Sequence, residues 1–558
     1  MASQPVPVPS ALDAATQIFP VLTPGQMARI RSCSELRKVQ TGEILFEIGD
    51  ADVSFFVLLS GAMEIVQPDV NGAERLIATH NAGEFTGELS MISGGRCLVR
   101  GRVTVPGEFL ELRNHEFRSL IGRDSELSDI FMRAFILRRI ALIRDNRGPV
   151  LLGSRHSADT LRLREFLSRN GIPYNYVDLD IDKSSQDLLD RFQIKIDEIP
   201  VIICSRTVMR NPSIPKLADC LGLNASVDQT TVRDLVIIGA GPSGLAAAVY
   251  AASEGLDALV IETEAPGGQA GSSSKIENYL GFPMGISGQE LAGRASAQAA
   301  KFGAKMMLAH SVARLDCSRR PYQVVLENGD AIHSRAVVIS TGAQYNKPGL
   351  ANLQQFEGRG IYYGATFIEA QLCEREEVII IGGGNSAGQA AAYLSQGATR
   401  VHMLVRSGEL SSSMSRYLIQ RVQQNPGIEL HFNSEIVALE GDEHLERVTW
   451  RDKNSGETTS RAIRHVFIMA GASPRTDWLQ GCVALDNKGF ILTGRDLDTD
   501  PLLQRQWPLE RTPLILETSL PGVFAVGDVR SGSFKRVASA VGEGAMAIAL
   551  VHRALAEL

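Results

Sequence analysis

Residues 234–262 read DLVIIGAGPSGLAAAVYAASEGLDALVIE, and the architecture of the C-terminal half can be predicted from them. The apolar run 235–238 predicts a buried parallel strand, and the Ala-rich segment 245–253 predicts a helix. Between them stand three glycines in the spacing G-x-G-x-x-G: Gly239, Gly241 and Gly244. A second apolar strand ends on Glu262, about twenty residues after the glycines. This order of elements predicts a dinucleotide-binding βαβ unit.

Each glycine of this motif has a physical role. Gly239 permits the tight turn, Gly241 lets a pyrophosphate approach the backbone, and Gly244 lets the helix pack close to the strand. The N–H groups at the helix N-terminus would bind the phosphates, and Glu262 would accept hydrogen bonds from a ribose diol. A lone glycine motif could equally be a tight turn. Here strand, glycines, helix, strand and acid fall in register, which favours the nucleotide site.

Length and charge restrict the class of protein. A chain of 558 residues suggests roughly three to five domains. Its net charge of −7 gives no electrostatic reason to expect nucleic acid as a partner. No apolar run is long enough to span a bilayer, and the first residues, MASQPVPVPS, do not resemble a signal peptide. We therefore expect a cytoplasmic protein with no membrane span.

The cysteines and histidines follow no ligand pattern. The seven cysteines stand at positions 33, 97, 204, 220, 317, 373 and 482, with no C-x-x-C and no metal-ligand spacing. The ten histidines form no cluster along the sequence. This usage is typical of a reducing cytoplasm, so we predict neither a disulfide framework nor a metal site.

Residues 20–125 contain short apolar segments separated by glycines, which predicts an all-β roll. The stretch 83–103, GEFTGELSMISGGRCLVRGRV, resembles the phosphate-binding cassette of the cyclic nucleotide-binding domain family. The resemblance implies cyclic AMP or cyclic GMP as a ligand. It assigns the contacts to Gly87, Glu88, Leu89, Arg96 and Cys97.

Cys97 and Leu98 depart from the cassette, because the family usually has Ser or Thr and then Ala at these positions. A thiol is a weaker hydrogen-bond donor than a hydroxyl. Loss of one hydrogen bond to a charged group costs about 1.5–3 kcal/mol, or roughly ten- to a hundred-fold in affinity. Two interpretations stay open: a cyclic nucleotide sensor, or a degenerate cassette that serves as a docking surface.

Residues 126–146 predict a connecting helix, and residues 147–225 then alternate strand and helix. The layout resembles the thioredoxin/glutaredoxin fold, with Pro200 at the family's cis-proline. In that family a C-x-x-C opens the first helix. The corresponding positions, 157–160, read Ser-Ala-Asp-Thr, so the resemblance implies a redox-dead docking or spacer domain.

From Thr231 onward the chain resembles low-molecular-weight thioredoxin reductase, a class II pyridine nucleotide-disulfide oxidoreductase that binds FAD and NADPH and forms a homodimer. Besides the first glycine motif, the resemblance rests on EAPGGQ (264–269), KIENYLGFP (275–283), STGA (340–343), MAGA (469–472) and PGVFAVGDV (521–529). The implied FAD contacts are Gly239, Gly241, Gly244, Glu262, Gly268, Gln269, Asn278, Gly342, Gly527, Asp528, Arg536, Val537 and Ala538. The final helix, which opens near Ala538, would point its N-terminus at the flavin.

A second nucleotide unit, EVIIIGGGNSAGQAAAYL, occupies residues 377–394. The strand after it leads to Arg406 instead of an acid, and an arginine suits a 2′-phosphate. One of the three arginines in the family pattern H-R-R-x-x-x-R remains, with Ser412 and Arg416 as alternatives. The sequence thus favours NADPH over NADH. The implied contacts are Gly382, Gly384, Asn385, Ser386, Ala387 and Arg406.

The reductase family carries electrons from FAD to thioredoxin through a C-x-x-C about fifteen residues before the second glycine motif. Gly364 and Phe367 stand at those two positions, and Cys373 is a single thiol that we interpret as structural. We therefore expect an FAD-dependent NADPH oxidoreductase with poor disulfide reductase activity. Its acceptor would be a small molecule or a protein, and a cyclic nucleotide would modulate it. The alternative is an NADPH- and cyclic-nucleotide-responsive redox sensor or scaffold with little turnover.

The predicted fold is multidomain: a β-roll, a thioredoxin-like α/β domain and two Rossmann-like FAD- and NAD(P)-binding α/β domains. The predicted bounds are a flexible start (1–19), the cyclic nucleotide-binding-like domain (20–125), the connecting helix (126–146), the thioredoxin-like domain (147–225), the FAD domain (226–345 and 470–558) and the NADPH domain (346–469).

Overall fold

A computed structural model describes residues 18–50, 53–68, 74–87, 91, 97, 99–144, 149–180, 198–204, 207–224, 228, 230–273, 275–350, 352–365, 367–410, 414–479, 481–499 and 507–557. Most of the expected flexible start, together with Glu88, Leu89, Arg96, Leu98 and Ser412, lies outside the described residues. No helix in the described ranges is both long enough and apolar enough to cross a membrane.

The chain forms two compact units. The first contains the residues up to Gly153, Gly171–Val227 and Ala297–Leu308. The second contains Ser154–Asn170, Asp228–Ser296 and Ala309–Leu558. Residues 154–170 therefore belong to the second unit although the segments on either side belong to the first, and residues 297–308 belong to the first unit although their neighbours belong to the second.

The first unit opens with an antiparallel β-roll, as the glycine-punctuated sequence predicts. Its strands are β1 (Glu35–Val39), β2 (Ile44–Phe46), β3 (Phe55–Leu58), β4 (Ala62–Pro68), β5 (Glu74–Asn81), β6 (Arg100–Val105) and β7 (Gly107–Leu112). They form sheets in the orders β1-β7-β3 and β2-β6-β4-β5. Helices α1 (Pro24–Arg31), α2 (Asn114–Arg123) and α3 (Ser125–Arg144) flank the roll, and α3 is the predicted connecting helix.

Aromatic side chains fix α2 and α3 to the roll. The ring of Phe55 on β3 lies 4.4 Å from that of Phe117 on α2 and 4.9 Å from that of Phe131 on α3, between centroids. All three side chains are fully buried. Because such pairs contribute about 0.5–1.5 kcal/mol beyond the burial of their area, this cluster stabilises the packing of both helices.

A four-stranded mixed sheet follows in the first unit. Its strands are β8 (Val150–Gly153), β9 (Asn175–Asp178), β10 (Val201–Cys204) and β11 (Thr207–Arg210), in the order β11-β10-β8-β9. β8 and β9 are parallel, and β10 is antiparallel to both β8 and β11. The peptide bond before Pro200 is cis, as predicted. Helix α5 (Ile214–Cys220) follows this sheet, and helix α4 (Ala158–Arg169) belongs to the second unit.

The first dinucleotide fold of the second unit is built on buried parallel strands. Its elements are β12 (Arg233–Ile238), α6 (Pro242–Ser253), β13 (Ala258–Glu262), α7 (Gly268–Gly271), α8 (Gly288–Phe302), β15 (Val312–Asp316), β16 (Tyr322–Leu326), β17 (Ala331–Ile339), β28 (Val523–Ala525) and α12 (Val537–Glu557); β14 (Lys305–Leu308) belongs to the first unit. Strands β13, β12, β17 and β28 are parallel neighbours, and β16 and β15 extend the sheet as an antiparallel pair. Apolar residues on both faces make these parallel strands nearly continuous hydrophobic runs.

The second dinucleotide fold is inserted between two crossover strands, β18 (Ala343–Tyr345) and β27 (Ala472–Pro474), which pair antiparallel. Its elements are β19 (Ile361–Tyr362), α9 (Phe367–Leu372), β20 (Glu377–Ile381), α10 (Asn385–Leu394), β21 (Arg400–Leu404), α11 (Arg416–Gln423), β22 (Ile428–His431), β23 (Ser434–Glu440), β24 (Arg447–Asp452), β25 (Thr458–Arg461) and β26 (His465–Ile468). The parallel sheet has the order β19-β26-β20-β21-β22. Strands β23, β24 and β25 form a separate antiparallel sheet.

Candidate functional site

The first glycine loop, between β12 and α6, has the geometry expected for a pyrophosphate. Gly239 has a φ of +102°, and a Cβ there would lie 2.4 Å from the carbonyl oxygen of Ser340. A Cβ on Gly244 would lie 1.9 Å from the carbonyl oxygen of Gly239, whereas one on Gly241 would meet nothing within 4 Å. Two glycines thus allow close packing of the chain, and the third faces open space. No side chain caps the start of α6, so its N–H groups can bind phosphate.

Glu262, at the end of β13, is 8% exposed and fixed to the loop. One of its oxygens accepts a hydrogen bond from the backbone N–H of Ala240 at 2.7 Å, and the other accepts one from the N–H of Glu264 at 3.0 Å. A carboxylate has about four acceptor positions. The Thr263 hydroxyl also donates to Glu262, at 3.3 Å, so about one acceptor position remains, which fits a ribose hydroxyl of a dinucleotide.

The second fingerprint lies beside the first. Gly527 has a φ of +73°, and a Cβ there would lie 2.6 Å from the hydroxyl of Ser243 in α6. Its N–H donates to the Glu543 carboxylate at 2.7 Å, and Arg530 pairs with that carboxylate at 2.6 Å. The next residue is Asp528, whose carboxyl pKa is raised chiefly by burial. Asp528 is half-buried, and its carboxylate can accept hydrogen bonds from hydroxyl groups such as those of the ribityl chain of FAD.

The remaining predicted FAD contacts lie on four other segments, one of which borders the first glycine turn. Gly268 has a φ of +52°, and a Cβ there would lie 3.2 Å from Cα of Gly241, so this loop borders the glycine turn. The side-chain amide of Gln269 donates to the carbonyl of Ala343 on β18. Gly342 has a φ of +66°. Three more predicted contacts, Asn278, Arg536 and Ala538, are exposed, and half-buried Val537 begins α12.

The second glycine loop repeats the first. Gly382 has a φ of +143°, and a Cβ there would lie 2.5 Å from the carbonyl oxygen of Met469. Gly384 precedes α10, whose start has no side-chain cap. The Asn385 side chain accepts a hydrogen bond from the N–H of Ser415 at 2.8 Å, Ser386 is exposed and Ala387 is buried. The loop therefore leaves its helix N–H groups available to a second nucleotide.

Arg406 follows β21 and is exposed, and Arg416 is exposed at the first residue of α11. Because both side chains are exposed, both are accessible to a phosphate group that approaches from the solvent. Sequence reasoning missed Tyr345 on the crossover strand β18. Its hydroxyl hydrogen-bonds to Ser386, and burial raises its pKa. Tyr345 thus joins the crossover to the start of α10, and only its place just after the STGA motif could have indicated this.

The predicted relay position is near the FAD loops. A Cβ on Gly364 would lie 3.7 Å from Cβ of Ser272, an ordinary contact, so a larger side chain fits there. Phe367 begins α9. Cys373 is 1% exposed within the apolar cluster of the NADPH domain, and burial raises the pKa of its thiol. Its buried, structural character agrees with the prediction, and such a thiol does not supply a thiolate at neutral pH.

The cassette in the first unit is described in part. Gly87 has a φ of +109°, and its carbonyl accepts a hydrogen bond from Arg138 of α3 at 2.8 Å. The sequence did not indicate that Arg138 belongs to this region. Burial lowers the pKa of its guanidinium to about 9. The Cys97 thiol points into the core of the roll and donates to the carbonyl of Val99 at 3.1 Å.

Two pairings of residues distant in sequence correct the predictions. Cys317 and Cys482 form a disulfide, with 5.9 Å between their Cα atoms, where no disulfide was expected. His402 and His431 lie 3.1 Å apart between ring nitrogens, although no histidine cluster was expected. Both predictions considered only the spacing of residues along the chain. The disulfide forms because β15 lies against the segment after Asp477–Leu479, and the two histidines meet because β21 pairs with β22.

Helix α4 contacts both glycine-loop folds. Arg169 donates to the Glu264 carboxylate at 2.8 Å, and Asn170 donates to the Glu264 carbonyl at 3.2 Å. Leu161 packs against the apolar cluster that contains Cys373. Part of the segment that sequence analysis assigned to a thioredoxin-like domain thus contacts Glu264, at the start of the loop 264–268 that was predicted to bind FAD.

Comparison with known proteins identifies two families. The profile described as pyridine nucleotide-disulphide oxidoreductase matches residues 233–544, and that of the cyclic nucleotide-binding domain matches residues 36–124. A thioredoxin reductase of Streptomyces clavuligerus is 32% identical over 328 residues, which cover 59% of this chain and 95% of that protein. One from Treponema pallidum is 33% identical over 317 residues, which cover 57% and 95%. The crystal structure of Lactococcus lactis thioredoxin reductase has a TM-score of 0.52 at 28% identity, covering 58% of this chain and 100% of that one.

Proposed function

The chain belongs to the pyridine nucleotide-disulphide oxidoreductase family, and from this premise we propose that it reduces its acceptor without a relay cysteine pair of its own. It is an NADPH-dependent flavin oxidoreductase of the thioredoxin reductase type, with FAD and NADPH as cofactors. When bound, FAD supplies the chemistry: it takes a hydride from NADPH and gives the electrons to an acceptor. The protein supplies two glycine loops that bind the nucleotides and fix their orientation.

One observation carries this proposal: Gly364 and Phe367 occupy the relay positions, and the nearby thiol is buried. A relay needs two thiols that alternate between dithiol and disulfide, because thiol–disulfide exchange begins with a thiolate. Cys373 is a single thiol whose pKa is raised by burial. The acceptor, a small oxidant or a protein disulfide, must then approach the cofactor directly.

The test is an anaerobic titration of the full FAD-containing chain with NADPH, followed by separate additions of thioredoxin, a quinone and oxygen. We expect NADPH to bleach the flavin absorbance, and we expect thioredoxin to restore it more slowly than the best small oxidant. Rapid reduction of thioredoxin by the unaltered chain would contradict the proposal.

A matched variant tests the role of the missing pair. The double substitution G364C/F367C places two cysteines at the relay positions, and the space beside Gly364 accommodates a side chain. We expect this variant to gain thioredoxin reduction, while the single G364C does not. Equal rates of thioredoxin reduction in the single and the double variant would show that the missing cysteine pair does not account for slow thioredoxin reduction by this chain.

We further propose that the β-roll binds a cyclic nucleotide and modulates the reductase. The family match over residues 36–124 supports the ligand class. Arg138 supports the coupling, because it holds the carbonyls of Phe85 and Gly87 at the start of the cassette and lies on α3, which leads out of the roll. Calorimetry with cyclic AMP and cyclic GMP tests binding. No heat at millimolar ligand would leave the degenerate docking surface as the better interpretation.

Two finer assignments complete the proposal, and one other function competes with it. The β11-β10-β8-β9 sheet and the cis bond at Pro200 support a thioredoxin-like domain, which acts without cysteines as a docking or spacer module. The chain forms a homodimer, which light scattering would test. The competing function, a redox and nucleotide sensor or scaffold, is distinguished by turnover: a sensor would be reduced once and reoxidised usefully by no acceptor in the panel.

A further inference from the structure

Four polar side chains share one face of the parallel sheet in the NADPH domain, away from its glycine loop. Glu377 lies on β20, His402 on β21, and Glu429 and His431 on β22. His402 is the register partner of Glu429, and successive residues of a strand alternate faces, so Glu429 and His431 lie on the same side. Apolar neighbours on this face include Ile379 and Leu404. Arg400, two residues before His402, shares the face, and Arg461 of β25 lies 3.4 Å from the Glu377 carboxylate.

The distances between three of these groups are those of metal ligands. His402 Nδ1 lies 3.1 Å from His431 Nε2 and 3.7 Å from Glu429 Oε2, and His431 Nε2 lies 3.5 Å from Glu429 Oε1. Ligands bound tetrahedrally at about 2.0–2.2 Å from Zn²⁺ are about 3.3–3.6 Å apart. These separations, measured to the two different oxygens of the Glu429 carboxylate, are close to those of zinc ligands, and one ligand atom from each residue lies within 4.8 Å of the other two.

Hydrogen bonding explains why a cation suits this position. His402 Nε2 lies 3.3 Å from the Glu377 carboxylate, which only accepts, so Nε2 carries the ring proton and Nδ1 carries a lone pair. Nδ1 and the Glu429 oxygens are then all acceptors that converge with His431 Nε2. One proton on His431 can satisfy only one of these partners, whereas a divalent cation binds all three atoms.

Glu377 supplies the outer contact that metal-bound histidines usually have. A histidine ligand almost always donates its other ring N–H to a carboxylate, carbonyl or water, which fixes its orientation and tautomer. The burial also suits a built site: His402 is fully buried, and the His431 ring lies 5.4 Å from that of Trp450 on β24. Arg400, 3.7 Å from Glu429, has a side chain that is 44% exposed and can turn to solvent when a cation binds.

We propose that His402, Glu429 and His431 form a binding site for one divalent transition-metal ion. Two imidazoles and one carboxylate are a ligand set typical of Zn²⁺, with water in the fourth position. All three ligands come from β21 and β22, and β22 is the edge strand of its sheet. The ion would join these two strands beneath the β23–β25 sheet. The site is separate from the glycine loops, and the ion would take no part in electron transfer to the acceptor.

The experiment is equilibrium dialysis of the chelator-treated, FAD-containing full chain against Zn²⁺, followed by measurement of bound metal and by calorimetry. We expect one ion per chain. The substitution E377Q keeps an acceptor but removes the outer charge, and should weaken binding about 10- to 100-fold. The ligand variants E429Q and H431Q should weaken it further, and both positions are partly exposed, so these variants should fold.

His465 provides the matched control, because it lies on β26 of the same sheet with its own carboxylate, Glu376, at 3.3 Å. H465Q should bind Zn²⁺ as tightly as the unaltered chain, and flavin absorbance should confirm that every variant is folded. X-ray absorption of the zinc-loaded chain should show two imidazole nitrogens. Absence of bound zinc, or unchanged binding in E429Q and H431Q, would overturn the proposal.

Discussion

At the scale of single residues, the three glycines of the first motif have different tasks that substitution can separate. Gly239 and Gly244 are required by the packing of the chain itself, because a Cβ would collide with backbone oxygens. Gly241 has an ordinary φ of −67°, and a Cβ there collides with nothing. The absence of a side chain at Gly241 is therefore needed only for the close approach of a bound ligand.

Substitution by alanine should affect a different property at each of these two positions: the stability of the chain at Gly244 and the binding of FAD at Gly241. G244A should lower the stability of the FAD-free chain by about 1–3 kcal/mol, because overpacking forces the backbone to move. G241A should leave that stability unchanged but reduce the FAD bound per chain. Thermal unfolding without FAD and flavin absorbance after dialysis measure the two effects. A G241A chain that retains FAD normally would place the pyrophosphate elsewhere.

Asp528 predicts a dependence of stability on pH. Burial raises its pKa in the folded chain above the ordinary 3.8, so the folded state holds the proton more tightly than the unfolded state. Stability of the FAD-free chain then falls as pH rises from about 3.8 through the raised pKa, and the full cost is present at neutral pH. D528N should therefore melt higher than the unaltered chain at pH 7.

The advantage of D528N should shrink as pH is lowered through the raised pKa and disappear below 3.8, where Asp528 is protonated in both the folded and the unfolded chain. The same substitution should weaken FAD binding, because the amide lacks the charge that strengthens hydrogen bonds from hydroxyls. A melting temperature that is lower at pH 7 and independent of pH would show that the carboxylate stabilises the fold instead.

At the scale of elements, we expect the end of β21 to determine the choice of nicotinamide nucleotide. Arg406 follows this strand at the position where NAD-binding folds place an acid. R406A should raise the KM for NADPH roughly ten- to a hundred-fold, as expected for the loss of about 1.5–3 kcal/mol, and leave the KM for NADH unchanged. R416A is the control that shows whether α11 contributes. Equal losses with both nucleotides would assign Arg406 a structural role.

Elements were predictable from sequence where the local pattern is strong. The strand–glycine–helix order of 234–262 predicts β12, α6 and β13, since buried parallel strands and glycine turns depend on neighbours in sequence. Contacts between distant segments were not predictable. The Cys317–Cys482 disulfide joins residues 165 apart, and Tyr345 meets Ser386 only because the crossover strand passes the start of α10.

At the scale of the whole molecule, α4 links the middle of the sequence to the cofactor loops. Arg169 has a side chain that is 16% exposed, and it pairs with Glu264 beside the loop that holds Gly268. The substitutions R169Q and E264Q should each speed FAD release. Their combined effect should fall short of the sum by about 0.5 kcal/mol or more, as for residues in contact. Additive effects in this double-mutant cycle would show that the pair does not hold the loop.

The passage of α4 into the second unit limits how this protein can be divided. The sequence places the start of the FAD domain at residue 226, so a fragment that isolates the reductase would begin there. Yet Leu161 and Arg169 complete surfaces whose other halves lie beyond that residue. A fragment that starts there would expose an apolar patch and lack a neighbour of the loop 264–268, so we expect it to be less stable than the same segment in the full chain.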